Sequence, residues 1–298
     1  MNYATKILDY LKENPNFIEI ILVPNKEPVL KHEKGFSLLY PDKLKPIDIK
    51  DTLLALRAHA SLKSALLKKE IFSFGLPDIG RIRVGYFLQR GSYTVHIIKT
   101  PFQLPDIKDI FEDHLLFTQF AMDFLKEKKG IFMILGNSWI KNSLFSYSLL
   151  KLINKNLEKI IYIVENPISL LLSHEKSIVI QREIHSDVET YKDALNDMET
   201  LNPDIVYLSE NKFYSQFEFI NLIPYLNFDK LNIISIPSTH RGLFWDKVKS
   251  TLTRHVYEDF VNNLKNIIEI DYGENNKIKF FIEPIRKEEI ISSTLYKI

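Results

Sequence analysis

The chain predicts an α/β protein in two parts: a small α+β domain, then a larger domain whose mainly parallel sheet is covered by helices on both faces. Three observations carry this. Beyond about residue 106, segments of helical period alternate with short apolar runs at 131–135, 160–164, 177–181, 204–208 and 231–236, the rhythm of strands joined by crossover helices. Before residue 100 the apolar runs follow one another through short turns, as in hairpins. Between the two, Pro101 and Pro105 bracket a stretch without periodicity, which sets the domains at 1–105 and 106–298.

Residues 4–13 read as a short amphipathic helix stopped at Asn14-Pro15. Residues 17–23 follow as a strand, Pro24-Asn25-Lys26 as a turn, 28–31 as a second strand and 36–40 as a third. Apolar positions recur at helical spacing over 47–69, with one or two breaks. Strands at 71–74 and 81–87 flank a Gly-Leu-Pro-Asp turn, and 93–99 returns after Arg90-Gly91. In the larger part, helices are expected over 107–128, 144–154, 187–200, 213–225 and 244–264, with strands again over 266–298.

Composition narrows the class. The 298 residues give room for two modest domains with filled cores, and 45% apolar with 26% charged content is ordinary for a soluble globular chain. The absence of cysteine removes disulfides, thiolate catalysis and cysteine metal sites. No apolar run approaches the roughly 18–20 residues that span a bilayer. The N-terminus carries acidic residues and lacks a continuous hydrophobic stretch, so it does not read as a signal peptide, and a cytoplasmic location is the expectation. Net charge is +1 but unevenly placed, with 16 basic against 10 acidic residues over 1–105 and 23 against 28 beyond. Opposite signs suit domains that dock on each other or on neighbouring copies; drift of surface charge accounts for them equally well. The basic excess lacks interleaved stacking aromatics, so no nucleic-acid partner is expected.

The most informative stretch runs from Gly130 to Leu144, where an apolar run ends at Gly136 and a polar turn leads to a helix opening near Ser143. The pattern to test is G-x-x-x-x-G-K-[ST], whose bare N–H groups and lysine cradle phosphates. Gly136 and Ser143 stand at its first glycine and final serine. Lys141 takes the second glycine position and Asn142 the lysine position, while Trp139 and Ile140 are bulky where phosphate needs space.

Other stretches give this loop a context. FSFGLPDIGRIRVGYFLQRGSYTVHIIKT, ending at Thr100, resembles the end of the N-terminal domain in type IV pilus retraction ATPases, the PilT-like members of the type II/type IV secretion ATPase superfamily. Val164-Glu165-Asn166-Pro167-Ile168 resembles their acidic box, Gln181-Arg182-Glu183-Ile184-His185 their Q-R-E stretch, and Asn202–Glu210 their Walker B strand. Order and spacing agree from about residue 17 to about residue 250. The resemblance implies a PAS-like N-terminal domain and a RecA-like P-loop NTPase domain. It implies ATP and Mg²⁺ as ligands, hexamers with like or related ATPase subunits, and an inner-membrane pilus or secretion platform as partner.

It also assigns roles. Glu210 falls on the Walker B glutamate that orients or deprotonates the attacking water, and Glu165 on the acidic-box glutamate. Gly136, Asn137, Ser138, Lys141, Asn142 and Ser143 form the phosphate loop, with the Ser143 hydroxyl as the Mg²⁺ ligand. Arg81, Arg83 and Arg90 would face the nucleotide or a neighbouring subunit. Plainer readings stand beside these: Ser143 as a helix-start serine, Glu210 as a solvated acid at a strand end, and three solvated arginines. Histidines 59, 96, 114, 174 and 185 show no metal-ligand spacing.

Departures from the family pattern accumulate at the same site. Asn166 replaces an aspartate, Asn211-Lys212-Phe213 lacks the expected arginine and aspartate, and Asn196 and Thr200 replace arginines. Ser238 falls on the histidine-box position unless a two-residue slip brings in His240. Lys141 stands one residue early, about 100° round a helix from the missing charge. The chain ends at Tyr296-Lys297-Ile298, where the relatives continue into helices, so the second domain reads as truncated. The expectation is a catalytically impaired relative serving as an accessory or regulatory component; the alternative is an active hexameric ATPase using Lys141 and Glu210.

Overall fold

A computed structural model describes residues 2–15, 17–32, 35–100, 103–211, 219–237, 241–274, 277–283 and 285. The chain divides into two compact units, Met1–Gln103 and Leu104–Ile298.

In the first unit, α1 (Ala4–Glu13) and α2 (Pro46–His59) accompany six strands: β1 (Ile18–Leu22), β2 (Val29–His32), β3 (Gly35–Leu38), β4 (Lys69–Leu76), β5 (Gly80–Gln89) and β6 (Ser92–Thr100). The sheet order is β3-β2-β1-β6-β5-β4, antiparallel throughout. Ile7 and Leu11 of α1 and Leu53 and Leu56 of α2 share a core with Ile20, Ile82, Val84 and Ile97 of the sheet. The carbonyls of Leu11 and Asn14, at the end of α1, accept from the Lys99 amine, which burial holds below its ordinary pKa.

The helix expected over 47–69 stops at His59, and its physical cause is Arg57. That side chain is 1% exposed. Its guanidinium pairs with Glu70 and donates to Tyr86 Oη (3.1 Å), Ser64 O (3.0 Å) and Ser64 Oγ (2.8 Å). Residues 60–68 wrap around this buried charge instead of continuing the helix, with Ser61 in the left-handed region at φ 57°. Strands β4 and β5 reach further than the apolar runs suggest, because the hairpin stays paired from Lys69↔Phe87 to Leu76↔Gly80.

The second unit is built on β7 (Gly130–Gly136), β8 (Ile160–Asn166), β9 (Ile178–Glu183), β10 (Ile205–Glu210), β11 (Leu231–Pro237), β12 (Leu264–Tyr272) and β13 (Ile278–Glu283), in the order β13-β12-β7-β11-β10-β8-β9. Six strands run parallel, and β13 pairs antiparallel at one edge. Every residue of β7, β10 and β11 is buried, which is why these strands read as continuous apolar runs and not as alternation. The helices are α3 (Ile107–Ile110), α4 (His114–Phe124), α5 (Trp139–Asn156), α6 (Tyr191–Leu201), α7 (Arg241–Thr251) and α8 (Arg254–Asn263).

Two expected helices are broken. Over 107–128, Phe111 leaves the helix to bridge Ile278 and stack on Phe117, and Asp113 then caps α4 through the Leu116 N–H at 2.8 Å. Over 244–264, the chain turns at Leu252-Thr253 between α7 and α8. Of the helix expected at 213–225, residues 213–218 lie outside the described residues; Phe219 and Ile220 are helical, and a 3₁₀ turn follows at Ile223–Tyr225. The segment 286–298, which includes Tyr296-Lys297-Ile298, also lies outside them. No helix among the described residues is long and apolar enough to cross a membrane.

Candidate functional site

In open parallel sheets, ligands collect outside the carboxyl ends of the strands. The second unit gathers Gly136 at the end of β7, Glu165 and Asn166 at the end of β8, and Glu210 at the end of β10. Register aligns them, with Gly136 opposite Pro237 and Glu210 opposite Asn166.

The β7–α5 junction departs from expectation. The helix does not open near Ser143; it begins at Trp139, three residues after Gly136, the last residue of the strand. Ser138 is the cap, its Oγ accepting from the Lys141 N–H at 3.4 Å, so Ser143 is not a helix-start serine. No glycine follows Gly136 before the helix, and nothing there favours an open loop over an early first turn. Only Asn137 and Ser138 remain as loop.

The two residues at the glycine and lysine positions point elsewhere. Lys141 is 5% exposed; its Nζ lies 3.7 Å from the centroid of the Tyr272 ring and donates to Lys277 O at 3.2 Å, on the β12–β13 hairpin. Asn142 is buried, and its Nδ2 donates to Gly136 O and Ile236 O, both at 3.3 Å. Its Oδ1 is buried without a hydrogen-bond partner among the described residues. A Cβ on Gly136 would fall onto that oxygen and within 2.8 Å of Ile270 Cβ, so the glycine serves this close packing.

Glu165 has no exposure at all. Its carboxylate accepts from the hydroxyls of Tyr147 and Ser169, from Ser169 N–H at 3.1 Å and from Asn211 Nδ2 at 3.5 Å. Burial raises its pKa to about 7, against the pull of the Ser169 and Tyr147 hydrogen bonds. Tyr147, buried and facing this carboxyl, is pushed well above the usual phenol value. The Ser143 hydroxyl donates to Ser169 Oγ at 2.9 Å, and Gln181 Nε2 donates to Tyr147 Oη at 3.0 Å. Ser143, Ser169, Glu165 and Tyr147 therefore form one hydrogen-bonded chain beneath α5.

Glu210 lies on the other face. Side chains alternate along a strand, and Ser209, not Glu210, stands opposite Glu165. Glu210 is 1% exposed and faces Tyr191 of α6, whose pKa is raised by burial and by this neighbouring carboxylate. The reading of a solvated strand-end acid is thus corrected: the carboxyl is buried. The sheet separates the two glutamates that the motifs group as catalytic.

The three arginines belong to the first unit and do not converge. Arg81 and Arg83 share one face of β5, with Arg81 Nη2 donating to Ser73 Oγ at 2.8 Å. Arg90 is exposed in the turn at the far end, at φ 50°, nine residues or about 30 Å along the strand from Arg81. Lys212, Phe213, Ser238 and His240 lie outside the described residues. Among those described, no group of three or more His, Cys, Asp or Glu could hold a metal ion.

Ser169, Tyr147 and Asn211 are the residues that motif reading missed. Only Tyr147 left a signal, since four residues after Ser143 it shares that residue's helix face.

No protein-family model matches the chain. Among curated proteins it is similar to the type IV pilus ATPase PilU of Pseudomonas aeruginosa, 24% identical over 168 residues, which are 56% of this chain and 43% of PilU. It is also similar to a twitching motility protein of Neisseria gonorrhoeae, 27% identical over 144 residues, 47% of this chain and 36% of that one. The chain thus spans less than half the length of the curated relatives it matches. In fold it is similar to the pilus retraction motor PilT with bound ADP, at a TM-score of 0.73 and 20% identity over 97% of this chain and 87% of that one. The ATPase DotB of Legionella pneumophila follows at 0.69 and 11%, over 99% of this chain and 85% of that one.

Proposed function

Taking the chain as a PilT-like relative of the type IV pilus and secretion ATPases, we propose that it is an accessory or regulatory component of such a machine that does not run on its own ATP hydrolysis. The observation that carries this is the β7–α5 junction. Phosphoryl transfer depends on positioning and charge neutralisation, and here the helix starts at Trp139 while Asn142 spends both amide hydrogens on main-chain carbonyls. What Asn142 leaves over is a buried acceptor oxygen, which repels phosphate where a lysine would attract it. Glu165, expected as the acidic-box catalyst, receives protein hydrogen bonds on both carboxylate oxygens, and Ser143, the expected Mg²⁺ ligand, has turned its hydroxyl hydrogen onto Ser169 Oγ. These residues do not fit Mg·ATP.

In this reading the second unit keeps a RecA-like framework and the first a PAS-like one. The protein works at the cytoplasmic side of an inner-membrane pilus or secretion platform, in rings with itself or with related ATPase subunits. Arg81, Arg83 and Arg90 serve contacts with neighbouring subunits. An active motor would need Lys141 to leave the Tyr272 ring and Glu210 to act from the far face of the sheet.

Thermal unfolding with and without a non-hydrolysable ATP analogue and Mg²⁺ tests the proposal. A ligand at 100 times its Kd adds about 2.7 kcal/mol, so a site of ordinary motor affinity shifts the midpoint by several degrees at 1 mM. No shift is expected. A clear shift, together with turnover that Glu210→Gln abolishes, would establish the active motor instead.

A further inference from the structure

The second unit holds a polar cluster that is complete without any ligand. The Ser169 hydroxyl donates to Glu165 and accepts from the Ser143 hydroxyl at 2.9 Å and from Asn211 Nδ2 at 3.3 Å, using each of its three hydrogen-bonding positions. Glu165 in turn receives hydrogen bonds on both oxygens, from Ser169 and Asn211 on one and from Tyr147 and the Ser169 N–H on the other. The Tyr147 and Ser169 hydroxyls and the Ser169 N–H run to that one carboxylate, Ser143 feeds it through Ser169, and Asn211 Nδ2 is shared among Glu165, Ser169 and Pro167 O at 2.9 Å. A divalent cation needs oxygen lone pairs facing it, and here it would meet O–H and N–H groups that already solvate the negative charge.

We infer that the site is shut from within, with Ser169 as the residue that occupies the metal position between Ser143 and Glu165 and Asn142 as the one that occupies the phosphate-lysine position. The inference rests on the reading that the chain does not hold Mg·ATP, and goes further by naming what has taken the ligand's place. The two devices act on different parts. Asn142 ties α5 to the ends of β7 and β11 through Gly136 O and Ile236 O. Ser169 ties α5 to the segment after β8 through Ser143 and Glu165. Between them they make, with side chains, the cross-links between strand ends and α5 that a bound nucleotide and its metal would otherwise make. The chain is thereby held in a ligand-independent closed state, and restoring the phosphate-loop residues alone would leave the metal position filled.

The test measures binding of a fluorescent ATP analogue with Mg²⁺ to three proteins: the wild type, K141G/N142K, and K141G/N142K with Ser169→Gly. The expected order is no saturable binding in the wild type, little in the double variant, and a gain of about tenfold or more in the triple one, the worth of removing one obstructing hydrogen-bonded group. Equal binding by the double and triple variants would overturn the role of Ser169 and leave the parent reading standing. Tight binding by the wild type would bring down the parent reading itself. Should the triple variant fail to fold, amide exchange of Ser169→Ala decides. The inference expects exchange to rise about tenfold both at 165–170 and across the gap at 142–147, the worth of one hydrogen bond. Faster exchange confined to 165–170 would mark Ser169 as local packing only.

Discussion

Glu165 makes stability depend on pH with a sign that exposed carboxylates do not share. Its pKa rises from an ordinary 4.5 to about 7 on burial, so between those values the folded protein keeps a proton that the unfolded chain releases. Stability therefore falls as pH climbs from about 4.5 to about 7, by on the order of 3 kcal/mol, and this contribution is flat above that window. Glu165→Gln should remove it. Urea unfolding at pH 5 and pH 8 checks this: the wild type should lose more stability between the two than the variant, and equal losses would refute the assignment. At the neighbouring site, Asn142→Ala strips the donor from two main-chain carbonyls, Gly136 O and Ile236 O. A cost of about 1–3 kcal/mol is expected in the same unfolding assay. None of this was legible beforehand, because an asparagine in a motif position shows what is missing and not which carbonyls it ties.

Among the elements, the strands were the most readable and the helix ends the least. The run at 131–135 became β7, Gly130–Gly136, because a strand covered on both faces is apolar at every position. The start of α5 was hidden by the motif itself. Ser143 stood at the family position for a helix start, but Ser138 caps first, and glycines that would hold a loop open are absent after Gly136. The end of α2 was equally hidden, since periodicity over 47–69 does not show that Arg57 will be buried and draw residues 60–68 around it. Junction packing yields its own test. Gly136→Ala places a methyl against Asn142 Oδ1 and Ile270, and overpacking of this kind costs about 1–3 kcal/mol. Thermal unfolding of the variant measures it, and an unchanged midpoint would mean that the junction yields freely.

Across the molecule, the break in periodicity between Pro101 and Pro105 set the expected domains at 1–105 and 106–298, and the structure divides into units Met1–Gln103 and Leu104–Ile298. The first unit owns a continuous core from Tyr3 to Ile97 and an ion pair between the buried Arg57 and the half-buried Glu70. Residues 1–103 expressed alone should accordingly unfold cooperatively in urea when followed by circular dichroism; a gradual, non-cooperative loss of signal would show that this core depends on the rest of the chain. What composition could not convey is that the glutamates at the ends of β8 and β10 face opposite sides of the sheet. That follows from register, and register is a property of paired strands and not of either one alone.

The early start of α5 places Trp139, half-buried, as the first residue of the helix, and the chain has only one other tryptophan, Trp245 in α7. A protein carrying Trp245→Phe would therefore emit from the junction alone. Its emission maximum would be an optical gauge built into the chain, shifting toward the red if the first turn unwinds into water and holding still if it does not.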